Sequence, residues 1–173
     1  LASGLMKVDD ERKYKKLLIA RPVVPLGKDI GYLPGEKDEK LRPWIQPIYD
    51  NLEFLFDTKK NGDIDKILAG LSSIQVEALT YIRGRSIPGQ FIIIDEAQNL
   101  TRHEVKTIVS RVGEGSKIVL MGDPEQIDHP YLDATSNGLS HVVERFKGEA
   151  VSGHVTLEKG ERSYLAQQAA DLL

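Results

Sequence analysis

The chain contains no cysteine, which excludes disulfide bonds and metal sites built on thiolate ligands. A chain without cysteine is compatible with the cytoplasm, where we expect the protein to act. No apolar run approaches the roughly 20 residues that a membrane-spanning helix needs, so we expect no membrane association. An excess of basic residues is also lacking, because the formal net charge is −3. Any contact with nucleic acid must therefore come from a local basic patch.

The length and composition predict an ordinary globular protein. At 173 residues, the chain is long enough for one domain with a substantial buried core. A hydrophobic content of 40% and a charged content of 28% are typical of such domains. Since no internal repeat or low-complexity segment divides the chain, we expect a single domain over residues 1–173.

Short apolar stretches alternate with amphipathic stretches along the chain. Strands are predicted at 16–24, where Pro22 ends the strand, at 74–82, where the strand gives way to a turn, and at 91–95, 117–121 and 153–160. Helices are predicted at 1–8, 41–56, 63–69, 101–113, 137–146 and 163–173. Because strands alternate with helices, the expected fold class is α/β, with a mostly parallel sheet and helices on both faces.

Two of these helices carry local signals for their boundaries. Thr101 and Glu104 have the spacing of a capping box, which predicts the start of the 101–113 helix, and Gly113 is placed to end it. Pro43 and Pro47 should restrict the 41–56 helix and could divide it, because proline removes a backbone donor.

Acidic residues follow two of the predicted strands. The stretch FIIIDEAQN places Asp95 and Glu96 directly after four buried apolar residues, and GDPEQ places Asp123 and Gln126 just past the next strand. The carboxyl ends of parallel strands meet at one edge of the sheet, where open α/β folds bind their ligands. We therefore expect these four side chains to converge on one site.

A magnesium ion that carries nucleotide phosphates would explain the adjacent carboxylates. In this interpretation Asp95 holds the ion, directly or through a bound water, and Glu96 orients the attacking water or accepts its proton. Asp123 and Gln126 then sense the terminal phosphate. The alternative is that Asp95 caps the next helix and Asp123 makes a turn before Pro124. The presence of the pattern after both strands favours the nucleotide site.

Longer stretches of the sequence resemble the PhoH-like proteins. FIIIDEAQN, SRVGEGSKIVLMGDPEQID and RGRSIPGQ carry the resemblance, and ARPVVPLGKDIGYLPGEKDEKLRPW and HPYLDATSNGL extend it over nearly the whole chain. The family resembles the first motor domain of superfamily-one helicases, which implies a P-loop NTPase core with a RecA-like fold and implies ATP and Mg²⁺ as cofactors. The resemblance makes Asp95 and Glu96 the Walker B pair and GDPEQ the helicase-like third motif.

The C-terminal stretch GHVTLEKGERSYLAQQAADLL is most similar to the subgroup in which this domain follows an N-terminal PIN nuclease domain.

The sequence departs from that family in one respect. The phosphate-binding loop, G-x-x-x-x-G-K-[ST], does not occur, and neither VGEGSKI nor PLGKDI has its spacing followed by Ser or Thr. In the family this loop lies just before the helix that residues 1–8 resemble. We therefore expect the chain to start just past the first strand and the P-loop. The isolated chain should then bind ATP weakly or not at all, because the amides and the lysine that cradle phosphates would be missing.

Arginines form a second group of candidates. The resemblance places Arg162, in KGERS, where an arginine can reach a phosphate, and across a subunit boundary it would stabilise the transferring charge. The alternative is a surface arginine paired with a neighbouring glutamate. Arg83 and Arg85 flank a glycine in YIRGRS, and Arg21 lies at a predicted strand end. These three are predicted to contact the phosphate backbone of RNA.

Three functions agree with these patterns. The leading hypothesis is an ATP-hydrolysing, helicase-like domain that acts on RNA, is coupled to a PIN ribonuclease domain and assembles into a homo-oligomeric ring. The ring is expected because no second motor domain is recognisable, so a neighbouring subunit would supply it. The second is a metal-dependent phosphohydrolase or nuclease that uses Asp95, Glu96, Asp123 and Asp128 around two cations. The third is a nucleotide-responsive assembly module without unwinding.

Overall fold

The computed structural model describes residues 1–24, 37–58, 63–79, 82, 86–157, 163–165, 168 and 172, with backbone alone for 37–41. The chain divides into two compact units, Leu1–Val142 and Val143–Leu173. Among the described helices, none has the combined length and apolar character that crossing a bilayer requires.

The described elements alternate between strands and helices. The strands are β1 (Lys16–Arg21), β2 (Ile74–Ala78), β3 (Gln90–Ile94) and β4 (Lys117–Leu120). The helices are α1 (Ala2–Leu5), which continues into a π-helical turn at Met6–Asp10, α2 (Lys37–Leu55), α3 (Asp63–Gly70), α4 (Arg102–Val109) and α5 (Gly138–Phe146). A short 3-10 turn, Ala97–Asn99, follows β3.

The four strands form one sheet in the order β2-β1-β3-β4, and every pairing is parallel. This confirms the predicted parallel α/β sheet. Ala20 of β1 lies opposite Ile94 of β3, and Ile94 lies opposite Leu120 of β4. The last residues of β3 and β4 therefore lie level with Ala20, one residue before the end of β1, and the residues that follow meet at one edge of the sheet.

Both faces of the sheet are covered. Leu17, Leu18, Ile19 and Ala20 of β1 are all buried, and successive residues of a strand point to opposite faces. On one face, apolar side chains of the strands pack with those of the helices in one cluster: Val8, Leu17, Ile19, Ile48, Leu52, Ile64, Ile74, Phe91 and Ile93. The continuous apolar sequence of β1 and β3 is thus the consequence of burial on two sides.

Helix α2 runs through both of its prolines, Pro43 and Pro47, so the expectation that they divide it was wrong. The helix buries Ile45, Ile48 and Leu52, which recur at helical spacing. Burial of this stripe against the sheet offsets the backbone hydrogen bonds that two prolines remove. Tertiary packing therefore outweighs the local preference.

Helix α4 begins as predicted and ends earlier. The Thr101 hydroxyl accepts a hydrogen bond from the Glu104 N–H at 3.2 Å, and the Thr101 N–H donates to the Glu104 carboxylate at 3.0 Å, which confirms the capping box. The helix ends at Val109, so the prediction that Gly113 terminates it was wrong. A Cβ on Gly113 would lie 2.8 Å from Cα of Pro88, so glycine is required there for a close backbone approach.

A strand was predicted at 153–160, but residues 153–157, the part of this segment that the structure describes, do not form one. Residues 153–157 join none of the four strands, and Val155 and Leu157 are 80% and 87% exposed. Alternating apolar residues form a strand only where a neighbouring strand accepts their backbone hydrogen bonds. Residues 158–160 lie outside the described residues.

The remaining elements agree with the prediction. Helices at 1–8, 63–69 and 137–146 are confirmed, and β1 ends at Arg21, directly before Pro22. The helix predicted at 163–173 is described only in part. Residue 163 is not helical, whereas residues 164, 165, 168 and 172 are helical. The other positions lie outside the described residues.

A turn stabilised by Asp133 leads into α5. The Asp133 carboxylate accepts hydrogen bonds from the Thr135 hydroxyl at 2.7 Å and from the backbone N–H groups of Thr135 and Ser136, each at 2.8 Å. These donors favour the ionised form and lower the pKa of Asp133 to about 2, with the Thr135 hydroxyl as the largest cause.

We predict that Thr135→Ala raises the pKa of Asp133 from about 2 toward its ordinary value of 3.8. Because the folded-state pKa lies below the unfolded one, the carboxylate stabilises the fold fully above pH 3.8 and loses this contribution as the pH falls through about 2. An NMR titration of the side-chain carboxyl carbon measures both values. Thr107→Ala, on α4, should leave the titration of Asp133 unchanged, and a wild-type midpoint near 3.8 would contradict the prediction.

Candidate functional site

The residues that follow β3 are tied to both neighbouring strands. The Asp95 N–H donates to the Ala20 carbonyl at 2.9 Å, on the β1 side. On the β4 side, the Met121 N–H donates to the Ile94 carbonyl at 2.9 Å and the Ala97 N–H donates to the Met121 carbonyl at 2.8 Å. The adjacent acids of the DEAQ stretch are thus held at the carboxyl edge of the sheet between two strands.

Glu96 has a left-handed backbone conformation, with φ 53° and ψ 38°. A residue other than glycine seldom adopts this conformation, which costs of order 1 kcal/mol and occurs preferentially at functional sites. The turn redirects the chain from β3 into the 3-10 turn at Ala97–Asn99. The Glu96 side chain keeps 32% of its surface exposed, so its carboxylate is accessible to a ligand.

Arg21 forms an ion pair with Glu96. Its Nη2 donates to Glu96 Oε1 at 2.9 Å, and 20% of the Arg21 side chain is exposed. The sequence predicted Arg21 as an RNA contact, and the structure places it beside the acidic pair. The two residues are 75 positions apart in the sequence, and only the pairing of β1 with β3 brings them together.

Gln98 is a site residue that the sequence analysis missed. Its side chain is fully buried. Nε2 donates to Glu96 Oε2 at 2.5 Å and to the Gln126 carbonyl at 2.8 Å, while Oε1 accepts from the Asp123 N–H at 3.2 Å. Its place in DEAQ was the available signal, but a sequence does not distinguish a buried amide from an exposed one.

Asp123 organises the loop that follows β4. Its carboxylate accepts from the Glu125 N–H at 3.0 Å and from Gln126 Nε2 at 2.5 Å. The turn before Pro124, which the sequence offered as an alternative to a phosphate-sensing role, is therefore real. Asp123 makes this turn inside the site, so the two interpretations do not exclude each other.

Asn99 holds the next part of the same loop. Its buried Oδ1 accepts from the backbone N–H groups of Asp128 at 2.8 Å and His129 at 3.1 Å. Two consecutive buried amides, Gln98 and Asn99, thus fix the chain after β4 against the chain after β3.

The structure brings together several of the predicted site residues. Glu96, Asp123 and Gln126 are connected through Gln98, and Asp95 adjoins Glu96 in the chain. The functional roles assigned to them stay predictions. The predicted arginines 83, 85 and 162 lie outside the described residues.

The carboxylates at this edge fit a magnesium ion that carries phosphates. Asp95 is half-buried, and none of the described residues donates a hydrogen bond to its carboxylate. The described chain holds no group of three or more His, Cys, Asp or Glu residues that could cage a metal. Mg²⁺ commonly binds through one or two carboxylates and otherwise keeps water and phosphate ligands. The Asp95 carboxylate, which accepts no hydrogen bond from the part of the chain that the structure describes, meets that requirement beside Glu96.

Comparison with known proteins gives consistent matches over the whole chain. The sequence profile of a family described as PhoH-like protein matches residues 1–173. The chain is 76% identical over 173 residues to Protein PhoH2 of Bacillus subtilis, covering 100% of the chain and 39% of that protein. It is 38% identical over 174 residues to Protein PhoH2 of Mycolicibacterium smegmatis, with the same coverage. It is 37% identical over 134 residues to a PhoH-like protein of Bacillus subtilis, covering 78% of the chain and 40% of that protein. The chain thus spans about two fifths of the length of these relatives.

We predict that Gly122→Ala destabilises the fold by about 1–3 kcal/mol, the usual cost of overpacking. The added Cβ would overlap the side-chain oxygen of Gln98 and lie 3.0 Å from Leu139 Cδ2. In a Gln98→Ala background the penalty should be smaller, since the overlapping oxygen is gone. Denaturant unfolding of the four proteins of this cycle measures the difference.

Gly70→Ala is the matched control, because a Cβ at Gly70 would meet nothing within 4 Å. Equal penalties for Gly122→Ala in the two backgrounds would show that Gln98 does not occupy the space beside Gly122.

Proposed function

The chain belongs to the PhoH-like protein family, and from this premise we propose that it forms the catalytic edge of a domain that binds and hydrolyses ATP. The resemblance of its motifs to those of P-loop nucleotide-binding proteins supports the proposal. The observation that carries the proposal is the pair of adjacent carboxylates after β3, of which Asp95 is without a hydrogen-bond donor among the described residues and Glu96 is linked to the loop after β4. The parallel sheet supports it by placing both at the edge where such folds bind ligands.

Each acidic residue has a distinct part in the proposed reaction. Bound Mg²⁺-ATP would supply the phosphoryl group to be transferred and the cation that neutralises its charge. Asp95 would hold the cation, directly or through a water. Glu96 would orient the attacking water or accept its proton, because a carboxylate has lone pairs beyond those that Arg21 and Gln98 occupy. Asp123 and Gln126 would sense the terminal phosphate.

The partners are proposed for the full-length protein, because the chain spans about two fifths of its relatives. We propose RNA as its ligand, a PIN ribonuclease domain in the same parent chain, and a homo-oligomeric ring in which Arg162 approaches the acidic pair of the next subunit. The C-terminal sequence similarity supports the PIN fusion. The sequence contains no phosphate-binding loop, so the isolated chain is expected to bind ATP weakly. Assays of turnover therefore use the full-length protein.

We predict that Glu96→Gln in the full-length protein lowers the rate of ATP hydrolysis by about 100-fold or more, the usual contribution of a general base. ATP binding should persist, because Asp95 is the proposed ligand of the cation. Phosphate release under saturating ATP and a nucleotide titration measure the two quantities separately.

Glu114→Gln provides the control, since Glu114 is exposed and lies at the opposite, amino-terminal side of β4. Hydrolysis by Glu96→Gln at the wild-type rate would refute the proposed role of Glu96. RNA cleavage by the isolated chain with Mg²⁺ and without ATP would instead indicate the metal-dependent nuclease.

The position of Arg21 makes its RNA role testable. Among the described residues its guanidinium donates one hydrogen bond, to Glu96, and four of its five N–H donors remain for a phosphate. We predict that Arg21→Gln weakens binding of single-stranded RNA and lowers the slope of log Kd against log salt concentration by about 0.7, the value for one lost phosphate contact.

Arg102→Gln is the matched control for this titration. Arg102 lies on α4 and donates to the Thr135 carbonyl, away from Glu96. A salt slope that is equal for wild type and Arg21→Gln would show that Arg21 serves Glu96 and does not contact RNA.

A further inference from the structure

We propose that Gln98 is a positioning residue, which orients the Glu96 carboxylate and makes that orientation depend on the loop of residues 122–126. The inference rests on the proposed ATP hydrolysis and extends it, because it names the residue through which the phosphate-sensing loop would control the general base. Gln98 itself touches neither the reacting phosphate nor the water in this proposal. It acts through Glu96.

The hydrogen bonds of Gln98 define one orientation of its amide. Both N–H groups of Nε2 are used, one on Glu96 Oε2 at 2.5 Å and one on the Gln126 carbonyl at 2.8 Å. Its Oε1 accepts from the Asp123 N–H at 3.2 Å. A flipped amide would place oxygen against two acceptors and nitrogen against a donor, which is unfavourable at all three contacts.

Burial prevents the amide from exchanging these partners for water. The Gln98 side chain has no exposed surface, and the space beside its oxygen is free only because residue 122 is a glycine. A buried polar group that loses its partner costs about 1–3 kcal/mol. The amide therefore follows its partners when they move, and it does not remain behind as an unsatisfied group.

The loop after β4 contributes two of the three contacts. Asp123 and Gln126 are the residues proposed to sense the terminal phosphate, and both reach Gln98 through backbone atoms. A shift of this loop on phosphate binding would change both contacts and, with them, the position of the N–H that holds Glu96 Oε2. Arg21 holds the other oxygen, Oε1, from β1. Gln98 therefore determines how the carboxylate is turned about its Arg21 contact.

The test uses Gln98→Glu in the full-length protein. The substitution keeps the size of the side chain and the acceptor for the Asp123 N–H, but it places a second carboxylate against Glu96. Two carboxylates at this separation share a proton, and with the proton on residue 98 its single O–H donates to Glu96 Oε2, while the Gln126 carbonyl loses its donor. We expect kcat near pH 8 to fall about 100-fold, the loss typical of a misplaced catalytic group, with KM for ATP nearly unchanged. As the pH is lowered, kcat should recover relative to that of the wild type.

Two further variants separate positioning from folding. Gln98→Met keeps the volume without any donor, so its kcat should fall equally and show no recovery at low pH. Gln75→Glu is the matched control, because Gln75 also donates its Nε2 to a glutamate, Glu77, but on β2, with β1 lying between this strand and β3. Its kcat should equal that of the wild type at every pH. Thermal unfolding of each variant across the pH range identifies losses that are due to unfolding.

The outcomes distinguish the inference from the proposed function. If the wild type hydrolyses ATP and folded Gln98→Glu and Gln98→Met keep the wild-type kcat and pH profile, Gln98 is structural and the inference is wrong. If the wild-type full-length protein does not hydrolyse ATP at all, the proposed function is refuted and the inference with it. Loss of kcat at constant KM, with recovery at low pH confined to Gln98→Glu, supports the inference.

Discussion

The level at which β1, β3 and β4 end is the constraint on which the site depends. Ala20, Ile94 and Leu120 lie in one row across three parallel strands, so the residues after them share one edge of the sheet. Close packing on both faces holds this register, because a slip by one residue would exchange the side chains of the two packed faces and leave neither core correctly filled. The site is therefore assembled by the core, although its polar residues belong to loops.

The adjacent carboxylates are tolerated because their environments differ. Glu96 is compensated by the guanidinium of Arg21 and by the amide of Gln98, whereas Asp95 stays half-exposed and can be screened by water. The left-handed backbone at Glu96 turns the chain out of the strand direction directly after Asp95. Under the proposed ATP hydrolysis, Asp95 would be available for a cation and Glu96 would be held for proton transfer, which are the two parts that phosphoryl-transfer chemistry requires of such a pair.

Local signals predicted the elements in which short-range interactions decide the conformation. The capping box of α4 needs only Thr101 and Glu104, which lie three positions apart in the sequence. The predictions failed where distant contacts decide the outcome. Helix α2 persists through two prolines because the core accepts its apolar stripe. Residues 153–157 have strand-like alternation, but in the described sheet no strand pairs with them.

The acidic groups at the strand ends could be found from the residues alone, since Asp95 and Glu96 directly follow one apolar run and Asp123 follows another after Gly122. The contacts that hold these groups come from the packing of distant segments. Arg21 is 75 residues from Glu96, and the burial of Gln98 depends on the approach of Gly122 in the loop after β4. Hydrogen-bond partners and burial at such separations arise from strand order and register, which no window of sequence contains.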